Sequence, residues 1–259
     1  MKGGSPDISL IKQRQSGTLI FRPRQSLSFF RSDPKSSGQK RWIFIGGTVH
    51  EEGTIRAEIG RTAKFAVFAY KPIVMNDMNN HWAASYVHRL EGMNVAVGYP
   101  DGSFRPEQTV TRLEFAKLLT SALGLEAASG NTNFSDNGDI PSWARPHVAA
   151  AVEAGLILGY EEAGTTSFMG MRTVTRAEAA VMTARALQFS GVDADIVTGN
   201  VPELKDASDI PNWAKPSIDQ ALSAGILSGY ADGAFRGDQA TTRGEAAAMV
   251  YKLLTALGI

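Results

Sequence analysis

The sequence predicts a mainly α-helical protein in which three helix-loop-helix repeats form a compact, roughly three-fold arrangement behind a small β-strand segment. Three observations predict it. Trp82, Trp143 and Trp213 are each followed sixteen residues later by Gly98, Gly159 and Gly229, and each glycine precedes a tyrosine: Tyr99, Tyr160 and Tyr230. Phe104, Phe168 and Phe235 are each followed eight residues later by Arg112, Arg176 and Arg243. After each Trp and each Arg, apolar residues recur at helical spacing.

Taken from the amino terminus, Lys12, Arg14, Arg22, Arg24, Arg31, Lys35, Lys40 and Arg41 stand among few acids, so residues 1–40 are expected to form a solvated, flexible leader. Residues 41–72 change period. Trp42 to Ile45, Thr54 to Ile59 and Ala63 to Ala69 read as strands joined by Gly46-Gly47 and Glu51-Glu52-Gly53. Such a piece lacks partner strands and leaves an open edge.

The repeats are expected over 73–126, 133–190 and 203–259. In each, the first helix follows the Trp. Ala83, Tyr86, Val87 and Leu90 mark its apolar face in the first repeat, and Ala214, Ile218, Ala221 and Leu222 in the third. Pro146 and Pro216 fall in the first turn, where a missing N–H costs little. Gly155 and Gly225, with Asn94 at the aligned position, end these helices in the left-handed conformation. Asp101-Gly102 and Asp232-Gly233 give the loop its turn. A second helix then starts at a Thr-Arg pair, with Leu113, Phe115, Ala116, Leu119 and Leu123, or Ala246, Met249, Val250, Leu253 and Leu254, as its apolar face. Two such helices cannot enclose a core, so the three hairpins must bury their faces against one another. The connectors, Gly124 to Asn133 and Ser190 to Val201, read as exposed.

The strings Thr111-Arg112-Leu113-Glu114, Thr175-Arg176-Ala177-Glu178 and Thr242-Arg243-Gly244-Glu245 each fit a capping box, in which the Thr hydroxyl and the Glu carboxylate cap each other's backbone N–H. That gives Glu114, Glu178 and Glu245 a structural role. It leaves the arginines unexplained, because a cation in the first turn opposes the helix dipole. One reading is an anion site, a guanidinium beside free helix-head amides. The other is a lock, with each arginine paired to an acid of a neighbouring hairpin. Trp82, Trp143 and Trp213 read as core anchors, whereas Tyr99, Tyr160 and Tyr230 fit either a hairpin-closing role or the lining of a saccharide groove.

The pattern Asp77, His81-Trp82-Ala83, Gly98-Tyr99, Asp101-Gly102, Phe104, Pro106, Val110-Thr111-Arg112 and Glu114-Phe115-Ala116 resembles the S-layer homology domain, usually present as three copies, over about residues 73 to 259. The resemblance implies a three-pronged, pseudo-three-fold domain that anchors secreted proteins of Gram-positive bacteria to the cell wall. The implied ligand is an anionic secondary cell-wall polysaccharide, commonly carrying pyruvylated N-acetylmannosamine, held in grooves between repeats; other surface-layer proteins are further partners. Carried over, the ligand-binding residues are Arg112, Arg176 and Arg243 with Thr111, Thr175 and Thr242, Gly98, Gly159 and Gly229, Tyr99, Tyr160 and Tyr230, and Asp101 and Asp232. The arginines are the family's contact for the ketal carboxylate. Glu161 to Thr166 lengthen the loop of the second repeat, and Gly170 stands at the usual proline, so the groove beside that repeat is expected to be blocked or reshaped. Gly237 stands at the same position in the third repeat, and Gly244 lies inside its capping box. Residues 41–72 in turn resemble the closing strands of β-sandwich modules that precede such repeats.

Composition excludes several alternatives. Lys plus Arg and Asp plus Glu both number 26, so no bulk field draws the chain to nucleic acid. With no cysteine there are no disulfides or thiolate sites, and His50, His81, His88 and His147 show no metal-ligand spacing. No nucleophile elbow, phosphate loop or repeated second carboxylate suggests an enzyme. No cofactor, metal or membrane insertion is expected. Met1 lacks a secretory leader behind it, so an extracellular, wall-located protein is expected to begin further upstream.

Overall fold

The computed structural model describes residues 75–125, 132–191 and 201–259 and strand backbones between residues 9 and 69. Residues 126–131 and 192–200, most of the two expected connectors, lie outside the described residues, as does the Glu51-Glu52-Gly53 turn. The chain divides into two compact units, one chiefly residues 1–74 and the other residues 75–90 with 94–258.

In the first unit the strands are β1 (Ser9–Arg14), β2 (Gly17–Phe21), β3 (Leu27–Ser32), β4 (Trp42–Gly46), β5 (Thr48–Val49), β6 (Ile55–Ile59) and β7 (Ala63–Ala69). They form an antiparallel four-stranded sheet in the order β1-β7-β3-β4 and a three-stranded sheet in the order β2-β6-β5. Three strands thus lie within 1–40, the stretch expected as a leader, and they supply partners for β4, β6 and β7, the strands read from the sequence. Register puts Phe29 opposite Val67 and Leu19 opposite Ala57. Leu19-Ile20-Phe21 and Phe29-Phe30 carry strand propensity that a count of basic residues overlooks.

Among the described residues the second unit holds six α-helices: α1 (Ala84–Gly92), α2 (Arg112–Ala122), α3 (Arg145–Glu153), α4 (Arg176–Phe189), α5 (Lys215–Ser223) and α6 (Arg243–Ala256). A two-stranded hairpin joins β8 (Tyr160–Glu162) to β9 (Thr165–Ser167). Helices α3 and α5 begin with Pro at N1/N2. Gly155 and Gly225 end them at φ 67° and 68°, and Asn94 takes φ 57° at the aligned place. No described helix is long and apolar enough to cross a membrane.

The second helices α2, α4 and α6 pack on one another at the centre, while α3 packs on α2 and α5 on α4. The first helix of a repeat therefore covers the second helix of the repeat before it. Tyr86 meets Tyr251 with ring centroids 5.6 Å apart, which brings α1 to α6 and closes the ring. Phe104, Phe168 and Phe235 are fully buried, with Leu90, Phe115, Leu119, Leu156, Val250 and Leu253. Around the axis the backbone forms its own closed circuit: Val110 N–H donates to Thr241, Val174 N–H to Val110 and Thr241 N–H to Val174, at 2.9, 3.0 and 3.0 Å. The pseudo-three-fold symmetry is thus visible down to single hydrogen bonds.

The tryptophans correct the sequence reading. Trp82, Trp143 and Trp213 are 56, 53 and 59% exposed, and the alanine after each, Ala83, Ala144 or Ala214, is the completely buried residue. The start of each first helix turns the alanine methyl into the core and the neighbouring indole toward solvent. Truncating a true core anchor is the check on this assignment: Phe235→Ala is expected to cost about 3–5 kcal/mol in urea unfolding, whereas Trp213→Ala costs under about 1 kcal/mol, as surface changes do.

Candidate functional site

Thr111, Thr175 and Thr242 take extended backbone angles and cap α2, α4 and α6, and the complete capping box with Glu114, Glu178 and Glu245 is formed in all three. The next two amides of each helix are also occupied. Arg112 and Leu113 N–H donate to the carbonyls of Arg172 and Gly170, Arg176 and Ala177 N–H to Gln239 and Gly237, and Arg243 and Gly244 N–H to Gln108 and Pro106. The expected anion site of guanidinium beside unpaired amides therefore does not form, because the loop of the next repeat fills the helix heads.

The arginine side chains follow the same direction. Arg112 Nε donates to Phe168 O (3.1 Å) and Nη2 to Leu158 O (3.2 Å) in the second repeat. Arg176 Nη2 donates to Ser228 O (2.7 Å) and Nη1 meets Glu245 Oε1 (3.3 Å) in the third. Arg243 returns to the first repeat, with Nε on Phe104 O (2.9 Å) and Nη2 on Val97 O (3.4 Å). Each guanidinium lies between two rings of the repeat it enters: 4.4 Å from Tyr160 and 5.4 Å from Phe168, 4.6 Å from Tyr230 and 5.0 Å from Phe235, or 4.9 Å from Tyr99 and 4.6 Å from Phe104. Arg112 and Arg176 are only 4 and 6% exposed. Burial lowers the pKa of Arg112, with Tyr160 and Glu178 acting in the opposite sense.

Each tyrosine carries a second guanidinium. Arg105 stands 4.0 Å from the Tyr99 ring and Arg236 4.6 Å from Tyr230, each held by an acid of its own turn, Asp101 at 2.8 Å or Asp232 at 2.6 Å. In the second repeat the hairpin replaces that turn, and Arg172 takes the place, 4.8 Å from Tyr160 and 3.2 Å from Glu178. Tyr160 and Tyr230 hydroxyls donate to Glu178 and Glu245. Burial, then that hydrogen bond, pushes both phenols up to about 12, so they remain donors.

The glycines serve the loop. A Cβ on Gly98 would stand 2.9 Å from Ser103 O, and one on Gly159 2.8 Å from Ser167 O, so these positions pass the returning chain too closely for a side chain. Sequence reasoning gave no role to Asp77, Asp136 and Asp206. Each accepts two backbone N–H groups across the loop: Asp77 from Phe104 and Arg105, Asp136 from Phe168 and Met169, Asp206 from Phe235 and Arg236, all at 2.6–2.8 Å. An Asp five or seven residues before every Trp was the available signal.

A groove of about 640 Å³ opens beside Arg176, lined by Ser228, Tyr230, Gln239 and Lys252 together with Trp82 and Tyr86. The Arg176 Nε itself is buried, without a hydrogen-bond acceptor among the described residues.

Comparison with known proteins agrees with this architecture. The S-layer homology domain model matches residues 75–116, 133–180 and 203–247, and the chain belongs to that family. It is 28% identical over 221 residues to an amylopullulanase of Thermoanaerobacterium thermosulfurigenes, covering 84% of this chain and 11% of that protein. It is 32% identical over 174 residues to a surface-layer 125 kDa protein of Lysinibacillus sphaericus, covering 65% of this chain and 14% of the relative. It is 33% identical over 164 residues to a cellulosome-anchoring protein of Acetivibrio thermocellus, covering 61% of this chain and 34% of the relative. The chain spans only a small part of these relatives, and the enzyme name belongs to a protein that lies mostly outside the match.

Two outcomes follow from the geometry. Arg112→Ala removes two charge-assisted bonds and should lower unfolding stability by about 2–4 kcal/mol, with Arg112→Lys recovering little because the planar fork is lost; urea titration measures both. Burial raises the pKa of Asp206, but the hydrogen bonds from Phe235 and Arg236 outweigh it and hold the carboxyl below its ordinary value. A depressed carboxyl contributes stability above the unfolded pKa of about 3.9 and loses it as pH falls through the folded value. Wild-type stability should therefore decline below about pH 4, and Asp206→Asn should be less stable at pH 7 with a shallower acid slope.

Proposed function

We propose that this chain is a cell-wall anchoring module that binds an anionic, pyruvylated secondary cell-wall polysaccharide outside the cell, in a groove between repeats. The supporting observation is the groove at Arg176. Lys252 adds a second cation, Ser228 and Gln239 offer polar contacts, and the exposed Trp82 gives a sugar face an apolar platform. A surface-layer protein and a cellulosome-anchoring protein among the relatives favour a wall location.

A second reading is favoured by a specific observation as well: all three arginines bond the following repeat, so the motif locks the module together. The two roles separate on residues that line the groove without joining repeats. Trp82→Ala and Lys252→Ala are each expected to weaken co-sedimentation with purified cell-wall polymer about tenfold at unchanged melting temperature. Removing the ketal carboxylates from the polymer should abolish it. Undiminished binding by both variants would leave the arginines as locks alone.

A further inference from the structure

The three joints between a first helix and the second helix it covers carry different residues at one place. Four residues beyond each Trp stand Tyr86, His147 and Ser217, and eight beyond each motif arginine stand Thr120, Ala184 and Tyr251. Tyr86 meets the Tyr251 ring where α1 reaches α6. Between α4 and α5, Gln188 Nε2 donates to Gln220 Oε1 at 2.8 Å. Between α2 and α3 the pair is Thr120 and His147, with Nδ1 3.0 Å from Oγ1. Of the other histidines, His81 bonds Glu107 in a loop, His88 is exposed and His50 lies outside the described residues. Among the described residues His147 is thus the one histidine that bonds one helix to another.

Thr120 is completely buried, and its hydroxyl hydrogen is directed at Ala116 O (3.0 Å) and Lys117 O (3.1 Å) of its own helix. The hydroxyl must therefore accept from the ring, which places the proton of the neutral imidazole on Nδ1. About one turn back on both sides stands a second contact, with Lys117 Nζ 5.3 Å from the Trp143 ring centroid. Lys117 precedes Thr120 by three residues and Trp143 precedes His147 by four, so the two contacts are adjacent rungs of one ladder. The other charges of these helices are engaged elsewhere or distant. Arg112 enters the loop of the second repeat, Glu114 caps Thr111, Arg145 bonds Ile140 O and Gly138 O, and Glu153 is exposed at the far end of α3. A proton added at Nε2 leaves the bond to Thr120 in place but sets a second positive charge beside Lys117 in a half-buried joint. No acid acts on His147 in the opposite sense.

We propose that the α2–α3 contact is an acid-sensitive joint of the ring, in which protonation of His147 beside Lys117 loosens the first helix of the second repeat from the first repeat. Burial, then Lys117, holds His147 below its ordinary value of 6.5. A base depressed in this way contributes stability that is complete above the unfolded pKa and is lost as pH falls through the folded value. The joint is therefore firm at neutral pH and weakens below about pH 6.5, a window separate from the one near pH 4 in which Asp206 acts. The device works on the packing of the module and does not depend on what the groove at Arg176 binds.

The test follows the His147 imidazole signals of the full chain by NMR from about pH 7.5 to about pH 5, with amide hydrogen exchange read over the same range. The titration midpoint should lie below 6.5. As His147 protonates, the amides of α3, corrected for intrinsic exchange, should lose protection several-fold while those of α5 keep theirs. His147→Asn, which offers Thr120 an N–H but takes no charge, should hold the protection of α3 constant across the range. Lys117→Gln should raise the His147 midpoint and reduce the loss, and it carries the test where His147→Asn fails to fold. A wild-type midpoint at or above 6.5, α3 protection that does not change with pH, or a loss shared equally by α3 and α5 would overturn the joint. So would a His147→Asn variant that loses α3 protection as the wild type does.

Discussion

A guanidinium buried at the first position of a helix must find acceptors, and its own helix has none to give. The carbonyls that meet this need in Arg112, Arg176 and Arg243 all belong to the following repeat. The first two backbone amides of the same helices also take their acceptors from that repeat. Each repeat is therefore chemically incomplete until the next one docks, and the third is completed only by the first. The layers of packed apolar side chains follow from this docking, because it brings α2, α4 and α6 together at the centre.

That requirement also shapes what is available to a ligand. The helix heads, which in isolation would attract an anion, are consumed by loop carbonyls. Outside the lock, each tyrosine ring holds a pair of guanidiniums. The repeats share the lock but not the rim. Ser228, Leu158 and Val97 stand at the same position of the three loops, and Lys252, Arg185 and Ser121 at the same position of the three central helices. The architecture is three-fold while the chemistry of the junctions is individual.

Much of this could be read from the sequence, for local reasons. Helix starts, capping boxes, the left-handed stops at Asn94, Gly155 and Gly225, and the need for mutual burial all depend on residues within a few positions of each other. The destination of the arginines did not, since Arg112 reaches a carbonyl 56 residues away and Arg243 one 139 residues away. The same distance hid Asp77, Asp136 and Asp206, whose partners lie 27 to 33 residues along the chain. The tryptophans misled for another reason: hydrophobicity ranks an indole above a methyl group, but the residue the fold buries is the alanine beside it, Ala83, Ala144 or Ala214. In the first unit, charge drew attention from the apolar residues Leu27, Phe29 and Phe30 of β3.

The backbone circuit through Val110, Val174 and Thr241 has three donors and three acceptors, each used once in the same rotational sense. A fourth copy could enter only by breaking one of these bonds and opening the whole ring, so the repeat number is fixed in a way that open, stackable arrays do not share. Mechanical load is distributed differently too. Tension entering the unit near residue 75 is passed through Phe104 to Arg243 at the far end of the chain, so the first repeat cannot peel away alone and resistance to extension belongs to the ring as a whole.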